Sequence, residues 1–148
     1  MSGDKAGQWW KVGIQVPDSD QTEVMIAHSL NTGSGDDQSM ATSGDYRNYF
    51  EVDGVRYSHT IDPRTGRPVE HDLASVTVIS DTCMKADAWA TAINVLGTEP
   101  GLEIARQESL DVLLVDRRGD EFEMLGTGAM ATYASAQPPA IVAEADGN

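Results

Sequence analysis

Hydrophobic and polar positions alternate with a period of two in several short runs and with a helical period in one long run. QWWKVGIQV (8–16) and EVMIAHSL (23–30) are rich in β-branched and aromatic residues and flank the turn-forming PDSDQ, so they predict two strands. From Asn31 to Ser39 the chain turns polar and glycine-rich, which predicts a loop or small insertion. YRNYFEVDGVRYSHT predicts two short strands joined by Asp53-Gly54, a pair suited to tight hairpin turns. LASVTVIS (73–80) passes from alternating to nearly continuous apolar, the pattern of a central strand.

From Thr82 to Leu96, Ala86, Trp89, Ala90, Ile93 and Leu96 recur at helical spacing, and Gly97 supplies a stop. A second helix is predicted from Glu99 to Gln107, with Thr98 as cap and Pro100 in the first turn. LDVLLVD (110–116) and DEFEML (120–125), separated by Arg118-Gly119, predict a closing strand pair. ASAQPPAIVAEADGN (134–148) has no periodicity and predicts a flexible tail. Several strands, two consecutive helices and then a strand pair favour an α+β fold with a mixed or antiparallel sheet, one domain over residues 1–133.

Composition narrows the function. The 148 residues are 40% hydrophobic, as in ordinary globular proteins, and no apolar run is long enough to span a bilayer as a helix. A formal net charge of −14 argues against nucleic acid, whose phosphates need clustered Lys and Arg. Cys83 is the single cysteine, so no internal disulfide can form, and without a neighbouring ligand it reads as a buried structural thiol. The first residues, MSGDKAGQWW, lack a charged start followed by an apolar stretch, so no secretion signal is expected in this chain.

Two stretches carry candidate chemistry. In MKADAWATAINVLG (84–97) a helix sets Asp87 and Thr91 four residues apart on one face. A carboxylate and a hydroxyl so placed suit a hard cation such as Mg²⁺, which takes oxygen ligands and keeps several waters. The same spacing also suits a surface carboxylate beside a packed threonine. In SHTIDPRTGRPV (58–69), His59 follows a predicted strand end, where it is either a general base or a structural imidazole. Asp62-Pro63 reads as a turn fixed by the aspartate, and Arg64 and Arg67 are candidate phosphate partners. His28 and His71 have no motif around them and read as surface or packing residues. A base, a cation pair and two arginines are the parts of a phosphoryl-transfer site, with no substrate specified.

At these residues the sequence resembles the ApbE family, the Mg²⁺-dependent FAD:protein FMN transferases. The resemblance runs through WWKVGIQVP, MATSGDYRNYF, SHTIDPRTGRPV, LASVTVIS and ADAWATAINVLG in family order, from Gln8 to about Leu125, and covers the family's C-terminal half. It implies splitting of FAD at its pyrophosphate and attachment of FMN to a Thr or Ser hydroxyl of an acceptor flavoprotein, within a motif of the Ser/Thr-Gly-Ala-Thr/Ser type. By the same resemblance His59 is the base for that hydroxyl, Ile61 lies beside the flavin nucleotide, and Asp87 and Thr91 hold the metal. Some family members carry a further carboxylate just before the threonine, where this chain has Ala90.

The family segments that bind most of FAD and give Mg²⁺ a carbonyl lie outside the resemblance, so an N-terminal half or a second copy of the chain is an expected partner. GTGAMAT (126–132) is similar to an acceptor sequence, but Met130 stands at the acceptor position and self-modification is not expected. The family acts on the periplasmic side of the cytoplasmic membrane, which is the expected compartment. The rival readings are an FAD pyrophosphatase using the same metal site and a non-catalytic binding module.

Overall fold

A computed structural model describes residues 10–15, 17, 24–30, 38–45, 49–52, 55–119 and 121–134. The 135–148 segment, most of the 31–39 loop and the Asp53-Gly54 turn lie outside the described residues.

The architecture is α+β, and every described ladder is antiparallel. Strands β1 (Trp10–Gln15) and β2 (Val24–Leu30) form a hairpin. β3 (Ser39–Gly44) is followed by the pair β4 (Tyr49–Val52) and β5 (Val55–Ser58), and then by the short pair β6 (Ile61–Asp62) and β7 (Arg67–Pro68). Next come β8 (Leu73–Ser80), helices α1 (Cys83–Leu96) and α2 (Thr98–Gln107), β9 (Asp111–Arg118) and β10 (Glu121–Gly126). A 3₁₀ turn over Gly128–Tyr133 closes the described chain. The main sheet has the order β10-β9-β8-β3, so β8 is internal, as its apolar run predicts, and β3 is an edge among the described strands.

The sheet is buried on both faces by period-two alternation. On one face Val76, Val78, Val112 and Leu114 pack against Ala90, Ile93, Leu102 and Ala105 of the helices. On the other, Ile79, Leu113 and Val115 pack against Ile14 and Leu30 of the β1–β2 hairpin and against Met124 and Met130. A register irregularity between Leu73 and Ser75 shifts the parity of β8, which puts odd-numbered Leu73 on the same helix-covered face as Val76 and Val78. Each fully buried Leu, Val or Ile contributes on the order of 1.5–3 kcal/mol relative to exposure.

Local chemistry sets the helix ends. Thr82 caps α1 by accepting from the Lys85 amide at 3.3 Å. Gly97, at φ +84°, ends α1, and α2 starts immediately after it, so Thr98 is the first helical residue and not the cap. A side chain at Gly97 would also stand 3.1 Å from the His71 ring, so this corner needs glycine on two counts. Cys83 is exposed, contrary to the buried thiol expected from its isolation: it opens α1, whose buried side chains begin at Ala86. Met130 is wholly buried and plugs the face beneath the hairpin, which accounts for a methionine in GTGAMAT.

Candidate active site

Asp87 and Thr91 lie one turn apart on α1, and both are exposed. Ala86, Ala90 and Ile93, at other angles around the helix, are fully buried, and this leaves Asp87 and Thr91 on an exposed flank of α1 beside β3. Ala90 is therefore a core position, and a carboxylate there would need a buried charge partner. The two exposed donors are both oxygen, the set a hard cation accepts when waters and substrate phosphate complete its shell. Among the described residues, no group of three or more His, Cys, Asp or Glu side chains is gathered for a metal.

Thr91 has a partner that sequence reasoning missed. Its Oγ1 lies 3.2 Å from Ser43 Oγ on β3. Around this contact the ATSGD segment is tied down at three points. Thr42 Oγ1 meets Thr77 Oγ1 at 2.8 Å on the opposite face of the sheet. The Asp45 amide donates to the Ala74 carbonyl at 3.2 Å, and the Asp45 carboxylate accepts from both Arg117 guanidinium nitrogens, at 2.7 and 3.3 Å.

His59 and Ile61 occupy a different element, the corner between β5 and β6, and both are exposed. The backbone on either side of His59 is braced. The Thr60 amide donates to Ser58 Oγ at 3.1 Å, and the Val69 amide donates to the Thr60 carbonyl at 3.0 Å. Beyond Ile61, the Asp62 carboxylate accepts from the Arg64 amide at 2.8 Å and from the Arg64 guanidinium at 2.8–3.1 Å, which fixes the Asp-Pro turn as its sequence predicts. Hydrogen bonds from Arg64 hold the Asp62 carboxyl below its ordinary pKa. Arg64 is thereby engaged within its own turn, which weakens its standing as a phosphate ligand.

The other two histidines are packing residues. His71 Nε2 donates to the Asn94 carbonyl at 2.7 Å, and His28 Nδ1 pairs with the Tyr133 hydroxyl at 3.0 Å. Cavities of about 660 and 580 Å³ flank His71, one beside the Asp62 turn and one beside Asp45 and Arg117. His59, Ile61, Asp87 and Thr91 line neither, and all four are exposed.

A model of the ApbE family matches residues 1–114. The chain belongs to the ApbE family. It is 47% identical over 123 residues to the FAD:protein FMN transferase of Escherichia coli K12, a match covering 83% of this chain and 33% of the relative. The Vibrio cholerae enzyme of the same name is 42% identical over 126 residues, covering 85% and 36%. Among solved structures, the apo flavinyl transferase ApbE of Pseudomonas stutzeri superposes with a TM-score of 0.69 at 39% identity, covering 91% of this chain and 40% of that one. The ApbE protein of Thermotoga maritima gives 0.71 at 30% identity, covering 90% and 41%. This ApbE-family chain thus spans about a third of the length of the curated relatives it matches.

Proposed function

We propose that this chain carries part of the active site of an FAD:protein FMN transferase. The observation that carries the reading is the likeness to enzymes of that name over more than four-fifths of the chain. It is supported by two exposed oxygen donors on α1, at the positions where the family resemblance sets the metal.

In this reading Asp87 and Thr91 hold Mg²⁺, which when bound offsets phosphate charge. His59 takes the proton from the hydroxyl of a Thr or Ser on the acceptor flavoprotein, within a Ser/Thr-Gly-Ala-Thr/Ser type motif. The hydroxyl oxygen then bonds to the phosphorus of the FMN half of FAD. The pyrophosphate P–O bond breaks, and AMP leaves with the electron pair. Ile61, exposed at 48%, supplies an apolar surface for the flavin nucleotide, and the Asp62–Arg64 clamp fixes the corner that carries it.

Water is the alternative acceptor: with the same His59, Asp87 and Thr91, exposed as they are, it would make the chain an FAD pyrophosphatase.

The test is incubation of the purified chain with FAD, Mg²⁺ and a Ser-Gly-Ala-Thr peptide, read by mass spectrometry, with His59→Ala and Asp87→Ala alongside. A peptide heavier by one FMN, absent in both variants, is the expected result. Release of FMN and AMP without an adduct supports the hydrolase. Neither product, even after addition of the remaining portion of a relative, overturns both readings.

A further inference from the structure

We infer that Ser43 is a positioning residue for Thr91, orienting its hydroxyl toward the metal; this rests on the metal pair proposed above. Ser43 is opposite Val76 in the β3–β8 register, and Val76 belongs to the cluster packed under α1. The Ser43 side chain therefore leaves the sheet on the helix side, where its Oγ comes within 3.2 Å of Thr91 Oγ1.

A threonine in a helix ordinarily turns its hydroxyl back on the carbonyl one turn earlier, which ties up its proton and fixes its rotamer along the helix. A hydroxyl carries one proton and two lone pairs. To give a lone pair to a cation it must direct its proton elsewhere. Ser43 Oγ, a hydroxyl able to accept, lies at hydrogen-bond distance on a neighbouring element, and donation to it would leave the lone pairs of Thr91 for the metal. Partners of this kind govern how well a ligand binds its ion, and losing one typically weakens metal affinity about 10–100-fold.

The position of Ser43 is itself constrained. The Thr42–Thr77 contact pins the residue before it on the other face of the sheet. Two residues on, Asp45 is fastened through its amide to Ala74 and through its carboxylate to Arg117. An edge strand of small polar residues is thereby held firmly enough to aim one hydroxyl.

The probe is Mn²⁺, titrated into the chain and followed by the electron paramagnetic resonance signal of the free ion. Ser43→Ala, Ser43→Thr, Thr91→Ala and the Ser43→Ala/Thr91→Ala double variant are each paired with a thermal melt. We expect Ser43→Ala to weaken Mn²⁺ about tenfold or more with its melting temperature held, and Ser43→Thr to restore affinity. In the Thr91→Ala background, Ser43→Ala should add nothing.

Wild-type affinity in Ser43→Ala, with Thr91→Ala impaired, overturns the role of Ser43 and leaves the metal pair standing. Additive losses overturn it too, because Ser43 would then act apart from Thr91. A lowered melting temperature with affinity retained identifies a purely structural contact and also overturns the proposal. Unchanged Mn²⁺ binding in Thr91→Ala, or none in the wild type, refutes the metal pair and the proposal together.

Discussion

The guanidinium of Arg117, near the end of β9, grips the carboxylate of Asp45, just beyond β3, through two hydrogen bonds, although 72 residues separate them. Their side chains are only 23% and 13% exposed. Removing one partner leaves the other charge poorly hydrated, so Arg117→Ala is expected to destabilise the fold by about 2–4 kcal/mol, just under the roughly 3–5 kcal/mol of wholly buried pairs. Arg117→Lys keeps the charge but loses the fork, and should recover only part of the loss. Urea denaturation of the three proteins measures this. Equal midpoints would show that the pair contributes nothing.

Gly101 lies where α2 crosses α1. A methyl group there would stand 2.7 Å from Ile93 Cγ2, and Ile93 is fully buried. Glycine to alanine inside a helix normally gains about 1 kcal/mol, whereas overpacking a core contact costs about 1–3 kcal/mol. The second effect should win, and Gly101→Ala should melt at a lower temperature than the wild type. Ile93→Leu, which has no γ2 methyl, would then restore part of the loss in the same background. A higher melting temperature for Gly101→Ala alone would mean that the helices move apart at no cost.

His28, on β2, has its pKa lowered by burial, only partly countered by the Asp111 carboxylate. The sign follows from linkage. The folded state disfavours the imidazolium relative to the unfolded chain, so the contribution of His28 is complete above the ordinary value of 6.5 and is lost as pH falls through the lower folded value. The His28–Tyr133 hydrogen bond ties β2 to the 3₁₀ turn, so the loss should fall on that part of the core. Denaturation midpoints of wild type and His28→Gln across pH 5–8 should converge toward the acid end. Parallel profiles would remove His28 as the cause.

These relationships divide into those a sequence displays and those it does not. Apolar spacing along α1 and the run in β8 are local signals that only one structure satisfies, and the one-turn Asp87–Thr91 pair follows from the same helical period. β3 gives no such signal. SMATSG is small and polar, and it becomes a strand only by pairing with β8. Ser43 and Thr91 stand 48 residues apart, and no pattern within either segment announces their contact. Cys83 shows the converse limit: isolation in sequence says nothing about which side of a helix's first turn a thiol faces.

The Asp62 clamp provides the most direct functional prediction from the β5–β6 corner. Its carboxylate holds both the amide and the guanidinium of Arg64, while the Asp62 carbonyl accepts from the amides of Thr65 at 3.2 Å and Gly66 at 2.8 Å. β6 and β7 are only two residues each, so the turn between them depends on these bonds more than on its ladder. Asp62→Ala should leave the main sheet and its melting transition nearly intact, because both core clusters are built from other elements. It should nevertheless release Ile61 and the braced backbone at His59. In the FMN-transfer assay, supplemented if necessary with the remaining portion of a relative, the expected result is a loss of at least tenfold in kcat/KM with KM for FAD raised, the size of effect that misplaced reacting groups produce. Asp62→Asn keeps an acceptor for the Arg64 amide and should fall between the two. Full activity in Asp62→Ala would mean that this corner takes no part in placing the nucleotide.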